Sequence, residues 1–224
     1  MSSWKCEQCG LTNFASAEQC KRCGEVPFGR RAAGDLGDAE SGGRRTFGRR
    51  VLWIGGMVGV ILAICYASLL MTSEPVTWEQ QEKVNRAITH LESKGFSREV
   101  FVLRRLANYR TTDNWWNVQV GHENAYAATN FPFEVVTLYP EFFQEAQDDI
   151  ERAVILLHES YHLRWADEPA ALESTWRNKA RVGWAEDQYG GTKLWRNTKE
   201  LTMRRVPELF RCGLEQNEDC AAQQ

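Results

Sequence analysis

The sequence lacks a surplus of charge of either sign. Its 27 basic and 30 acidic residues leave a formal net charge of −3 over 224 residues. A chain whose main task is to grip a phosphate backbone needs a basic surplus, so composition gives nucleic-acid binding no support as that task. It also lacks any haem, nucleotide or flavin motif. Histidine is scarce, with four in all.

One stretch lacks charge entirely. Val51 to Met71 reads VLWIGGMVGVILAICYASLLM. A helix of about 20 apolar residues spans the hydrocarbon core of a bilayer. Such length and uniform apolarity argue against a buried helix of a soluble core. A cleaved signal peptide is disfavoured too, because a separate cysteine module precedes the run. Arg44, Arg45, Arg49 and Arg50 crowd its amino-terminal flank, whereas Thr72 to Glu82 carries three Glu and no Lys or Arg. The positive-inside rule then puts residues 1–50 in the cytoplasm and residues 72–224 outside it. Charge divides the same way. Residues 1–50 hold nine Lys/Arg against six Asp/Glu, and residues 74–224 hold eighteen against twenty-four. Cysteine usage agrees with that split. Cys6, Cys9, Cys20 and Cys23 form two C-x-x-C pairs that need a reducing compartment, while Cys212 and Cys220 are expected to form a disulfide in an oxidising one. Cys65 lies in the apolar run.

The first 26 residues read as a metal-dependent module. The pattern is W-x-C-x2-C-x3-N-x6-C-x2-C, from Trp4 through Asn13 to Cys23. Four thiolates at this spacing can close a tetrahedral zinc shell. So short a segment has almost no core, and the metal must supply most of its folding energy. The pattern closely resembles the Ran-binding-protein type zinc finger over residues 2–25. That resemblance implies a small zinc ribbon held by four cysteines, and members bind ubiquitin or single-stranded RNA. The ubiquitin-binding form has Thr-Phe where Gly10-Leu11 stands here. The RNA-binding form has arginines where Ser16 and Ala17 stand, although Phe14 can stack and Lys21 and Arg22 are basic. Docking of a cytoplasmic protein partner is therefore the favoured expectation, with RNA as the alternative. Residues 27–50 are Gly- and Arg-rich without periodicity and read as a flexible basic linker.

Residues 74–224 suffice for one compact domain. Thr77 with Gln80 three residues later predicts a helix start, and Val84, Ala87, Ile88 and Leu91 continue it until Gly95. Val100 to Leu106 is β-prone. Phe133 to Leu138 reads as a strand ended by Pro140. Asp148 to Leu163 reads as a helix, and 168–182 as a second helix capped by Asp167 with Pro169 in its first turn. The expected class is α+β.

The first of these two helices holds His158-Glu159-Ser160-Tyr161-His162. Residues four apart share a helix face, so both imidazoles can reach one ion. Glu159 stands beside them, outside the ligand set, where a carboxylate can deprotonate a water. Such a string arises by chance in well under about 1% of chains of this size. Ile155, Leu156 and Leu157 make the preceding turn apolar, which places the histidines near a core.

On these residues, roughly 120–185 resembles the HExxH metallopeptidases, the zincins. The resemblance implies a zincin-like fold, zinc ligands His158 and His162, Glu159 as general base, and the strand ending at Leu138 as the edge strand that aligns a peptide. Arg164 departs from the apolar residue usual there. Glu168 falls at the third-ligand spacing of the HExxHxxGxxH subgroup, with Trp165 in place of Gly and Glu in place of His. It also fits zincins with a Glu ligand on the next helix, and Glu173 is the rival. Tyr189 as an oxyanion donor, His122 in the cleft, Met203 as a floor, and Trp176 and Trp184 as core complete the expectations. They add up to a membrane-anchored zinc peptidase acting outside the cytoplasm, with one catalytic and one structural zinc. The alternative is a non-catalytic zinc-containing receptor or adaptor whose finger recruits a protein or RNA.

Overall fold

The computed structural model describes residues 3–26, 39–119, 125–212 and 219–223, with the side chains of 39–47 and 222–223 left aside. The chain divides into two compact units, Met1–Ala63 and Ile64–Gln224.

The first unit opens with an antiparallel hairpin of β1 (Ser3–Lys5) and β2 (Thr12–Phe14). Each C-x-x-C pair closes in a turn completed by a glycine with positive φ. Gly10 donates its N–H to the Cys6 carbonyl, and Gly24 donates to Cys20. Helix α1 (Ala39–Met71) follows. It begins well before Val51, so residues 39–50, expected to be part of a flexible linker, are helical. Residues 27–38 lie outside the described set. The segment Gly48–Met71 is long and apolar enough to cross a membrane, and it is exposed up to Ile64, beyond which it is partly buried within the second unit.

The second unit is α+β. After the last turns of α1 come α2 (Trp78–Ser93), α3 (Ser97–Arg105), β3 (Asn108–Arg110), β4 (Ala127–Asn130), β5 (Val135–Leu138), α4 (Pro140–Gln144), α5 (Asp149–His162), α6 (Glu168–Arg177), α7 (Lys179–Val182), α8 (Glu186–Tyr189) and α9 (Lys193–Arg205). The start of α2 is the expected capping box, with Thr77 and Gln80 side chains each bonding the other's backbone N–H. Gly95 ends that region with φ +79°, a left-handed conformation that favours glycine.

Three expectations are corrected. Val100 to Leu106 is not a strand. It falls largely in α3, whose Val100 and Leu103 turn inward one turn apart while Phe101 stays exposed. The stretch 168–182 is two helices, α6 and α7, meeting at Asn178. And β5 is no edge strand. The sheet order is β3-β5-β4, with β3 parallel and β4 antiparallel to β5, so β5 is central and fully buried.

Helix α5 is the hub of this unit. Asp148 caps it, accepting N–H bonds from Ile150 and Glu151. Its apolar residues Ala153, Val154, Leu156 and Leu157 are buried against α2, α3, β4 and α6. Behind α6, Trp176, Trp184 and Trp195 pack with ring centroids 4.5–6.0 Å apart. Trp176 and Trp184 thus form core as expected. Cys212 and Cys220 form a disulfide. The Asp219 carboxylate beside it pairs with buried Lys179 at 2.8 Å.

Candidate metal centres

The first cluster is the N-terminal thiol set. The sulfurs of Cys6, Cys9, Cys20 and Cys23 all lie within 4.8 Å of one another. Asn13 ties the two turns together, donating to the Leu11 carbonyl and accepting from the Lys21 N–H. Trp4 donates its indole N–H to the Ala17 carbonyl. Hydrogen bonding from the Arg22 backbone N–H holds the Cys20 thiol down to about 6, in the direction that favours its thiolate. Four sulfurs converging in a unit without an apolar core constitute a zinc-type site.

The second cluster is at the C-terminal end of α5. His158 and His162 lie one turn apart, with their Nε2 atoms 3.1 Å from each other. Glu168 Oε2 is 3.1 Å from His162 Nε2 and 3.6 Å from His158 Nε2. All three ligand atoms fall within 4.8 Å. The local backbone explains how Glu168 gets there. Helix α5 closes in a Schellman motif. The Ala166 N–H bonds the Tyr161 carbonyl and the Trp165 N–H bonds the His162 carbonyl. Trp165 takes the left-handed position of that motif, with φ +72°. The chain reverses there, and Asp167 caps α6 at once by accepting from the Ala170 N–H. Glu168, first residue of α6, is thereby carried back over the histidines.

The same turn fixes the ring of His162. Its Nδ1 lies 3.0 Å from the Ala166 carbonyl, which can only accept, so Nδ1 carries the hydrogen and Nε2 faces the cluster. Without metal, burial pulls the His162 pKa down, but the hydrogen bond to Glu168 and the Glu159 charge outweigh it and raise the value to about 9. The reverse holds for Glu168. Hydrogen bonds from His158 and then His162 keep its carboxyl well below the usual carboxylate range. The three side chains are half-buried and close enough together that they could hold one metal ion.

Glu159 is buried beside the cluster. Its Oε2 accepts a 2.6 Å hydrogen bond from the Thr129 hydroxyl on β4. An open cavity of about 780 Å³ lies before these groups, with walls from β4, α5, α6 and α9. Much of the wall is apolar, including Val154, Ile155, Leu172 and Leu201. Thr175 Oγ1 and Asn197 Nδ2 on the same wall are buried without a hydrogen-bond partner among the described residues.

The other expected residues sort clearly. Glu173 points away and pairs with Arg177 at 2.9 Å, so it does not join the histidines. Arg164 pairs with Glu99 at 2.6 Å, which explains a charged residue just past the motif. Tyr189 is fully buried, donates to Asp148 Oδ2 at 2.7 Å and is absent from the cavity wall, so an oxyanion role is excluded by position. Met203 is exposed and forms no floor under the cluster. His122 lies outside the described residues. Thr129 was missed by sequence reasoning, since a lone Thr in Ala-Ala-Thr-Asn carries no signal until β4 is placed beside α5. No family model, curated protein or solved structure matches this chain.

Proposed function

We propose that this chain is a membrane-anchored zinc hydrolase of the peptidase type. The observation that carries the reading is the convergence of His158, His162 and Glu168 at a cavity wall, with Glu159 held alongside. Two imidazoles and one carboxylate, with room before them, fit zinc with an open coordination position. When bound, zinc lowers the pKa of water and polarises a substrate carbonyl. Glu159 would accept the proton of the attacking water and pass it to the leaving amine nitrogen as the C–N bond breaks. Thr129 would hold the Glu159 carboxylate in place by its hydroxyl.

A peptide substrate is favoured by β4. It is one of the two edges of its sheet, and Ala127, Ala128 and Thr129 line the cavity. An extended peptide can add to such an edge by main-chain hydrogen bonds. An antiparallel edge strand beside the histidine helix supports the zincin reading, with β4 in the part expected of β5. The arginine-rich flank of α1 favours a cytoplasmic N-terminus, and the Cys212–Cys220 disulfide favours an oxidising compartment for the second unit. The finger would dock a cytoplasmic protein. Phe14, exposed at the end of β2, offers it an anchor.

The full chain in detergent should hold two zinc ions and cleave peptides. Glu159→Gln should keep both ions and lose about 10²–10⁴-fold in turnover, the usual contribution of a general base. Unchanged turnover in that variant refutes the mechanism. A fully zinc-loaded wild type that cleaves no peptide leaves the receptor or adaptor in its place.

A further inference from the structure

We infer that an aromatic patch on the second unit sits in the interfacial layer of the bilayer and holds the mouth of the cavity at the membrane surface. This rests on the membrane-anchored reading above. The patch comprises Trp115, Trp116, Val118, Phe131, Phe133 and Trp165.

One side of the patch meets the end of the span. Tyr66 of α1 stacks on Phe133 with ring centroids 6.4 Å apart. Trp116 meets Phe133 edge-on at 6.3 Å and Trp115 at 5.8 Å. Trp115 donates its indole N–H to Ser68 Oγ at 3.0 Å and its backbone N–H to Thr72 Oγ1. Phe131, two residues before Phe133, packs on Trp165 at 4.1 Å. Both Phe131 and Trp165 line the cavity that holds His158, His162 and Glu168. Trp115, Trp116, Val118, Phe131 and Trp165 are nonetheless exposed, Trp165 by 78%.

Depth follows from the helix. Tyr66 to Met71 covers about 7.5 Å of helix axis at 1.5 Å per residue. Side chains that touch the helix between Tyr66 and Thr72 therefore lie about as deep as interfacial elements do, roughly 5–10 Å into the headgroup and acyl boundary. Tryptophan and tyrosine favour that layer, because their rings are apolar and their N–H or O–H needs a polar partner.

The junction has no slack that would let the domain lift away. Leu69 is fully buried, and Ser73 bonds the Leu69 carbonyl at 2.7 Å. The Glu74 backbone accepts from the Thr111 N–H and donates to Thr112 Oγ1. Pro75 bridges Arg110 on β3. Clustered exposed aromatics mark a surface that is covered by something else, and the bilayer next to the span is the cover their position supplies. The substrate class narrows accordingly to chains presented at the membrane surface, such as the juxtamembrane segment of another anchored protein.

The test uses the full chain in phosphatidylcholine vesicles whose acyl chains are brominated near the glycerol end. Bromine quenches tryptophan at that depth. Three variants are read against the wild type: Trp53→Phe within the span, Trp115→Phe/Trp116→Phe/Trp165→Phe in the patch, and Trp165→Phe alone, an exposed site whose change leaves the fold in place. We expect the patch triple variant to lose a large part of the wild-type quenching, since aromatics of this layer lie at the depth of the bromines, and Trp165→Phe to lose a smaller, measurable part. If quenching falls only in Trp53→Phe, the span stands and the patch lies off the membrane, which overturns the inference. If the wild type is not quenched at all, the membrane anchor itself fails and the inference falls with it.

Discussion

Glu168 and Glu173 make the sharpest test of the metal site, because the sequence leaves both open. Take Glu168→Gln and Glu173→Gln in the full chain. Glu168 Oε2 lies 3.1 and 3.6 Å from the two imidazole nitrogens, so its loss removes one of three protein ligands. Outer-shell partners of a metal ligand are worth about 10–100-fold in affinity. A direct carboxylate ligand should exceed the top of that range, so zinc at this site should weaken by at least about 100-fold, or about 2.8 kcal/mol. The Glu173 carboxylate instead holds Arg177 four residues on, and both side chains are more than a third exposed. Such a pair is worth about 0–1 kcal/mol of stability and nothing in metal affinity. The assay is zinc content after dialysis against a chelator of graded strength. The wild type should retain two ions, Glu173→Gln two, and Glu168→Gln only the ion of the finger. If Glu173→Gln releases the ion while Glu168→Gln keeps it, the three-ligand assignment is wrong.

Two further outcomes are expected. Cys9→Ser should remove one of four thiolates, unfold the finger and drop zinc from two ions to one, while the melting transition of the second unit, a compact unit with its own core, persists. Calorimetry with metal analysis reads both. Stability should also fall in alkali. Burial raises the phenol of Tyr161 to about 12, and burial likewise pushes Tyr109, Tyr126, Tyr139 and Tyr189 upward. An unfolded tyrosine ionises near pH 10. Their contribution is thus intact below about pH 10 and declines above it, because the unfolded chain then sheds protons that the folded one keeps. Each buried tyrosine steepens the decline by up to about 1.4 kcal/mol per pH unit. Phenolate absorbance of these five tyrosines should rise together with unfolding, and ionisation of all five near pH 10 in a protein that is still folded refutes it.

Much of the site is readable before any fold is known, because it depends on short-range spacing. His158, Glu159, His162 and Glu168 all sit within three helical turns and one tight reversal, so helix geometry alone nearly places them. The Thr77 capping box and the Asp148 cap are legible for the same reason. What escapes is what depends on partners far along the chain. Val100, Val102 and Leu103 look like a strand by residue type, yet burial against α2 and α5 makes them a helix, since tertiary contact overrides a weak propensity. Strand β4 has no β-branched run to announce it, and its pairing with Val135–Leu138 creates it. Once β4 takes the edge, the strand that was legible becomes central, and the residue that steadies Glu159 turns out to be Thr129.

Trp165 is the residue whose presence stability does not explain. It occupies a left-handed position where glycine is the common choice, and a side chain there costs about 1–2 kcal/mol. Its gain is one aromatic contact, the 4.1 Å pairing with Phe131, worth about 0.5–1.5 kcal/mol. A glycine would relieve the strain but loosen the unfolded chain by about 0.4–1 kcal/mol. These quantities nearly cancel, so Trp165→Gly should shift stability by less than about 1 kcal/mol. The Schellman bonds are backbone bonds and survive the change, so zinc should be retained at His158, His162 and Glu168. A chemical denaturation curve and a metal count decide it. A loss above about 2 kcal/mol, or release of the ion, would make Trp165 a structural support of the turn. Near-neutrality with the ion kept leaves its large exposed indole without a structural reason at the one turn that carries Glu168 to the metal, which is what an aromatic selected to meet a surface outside the protein looks like.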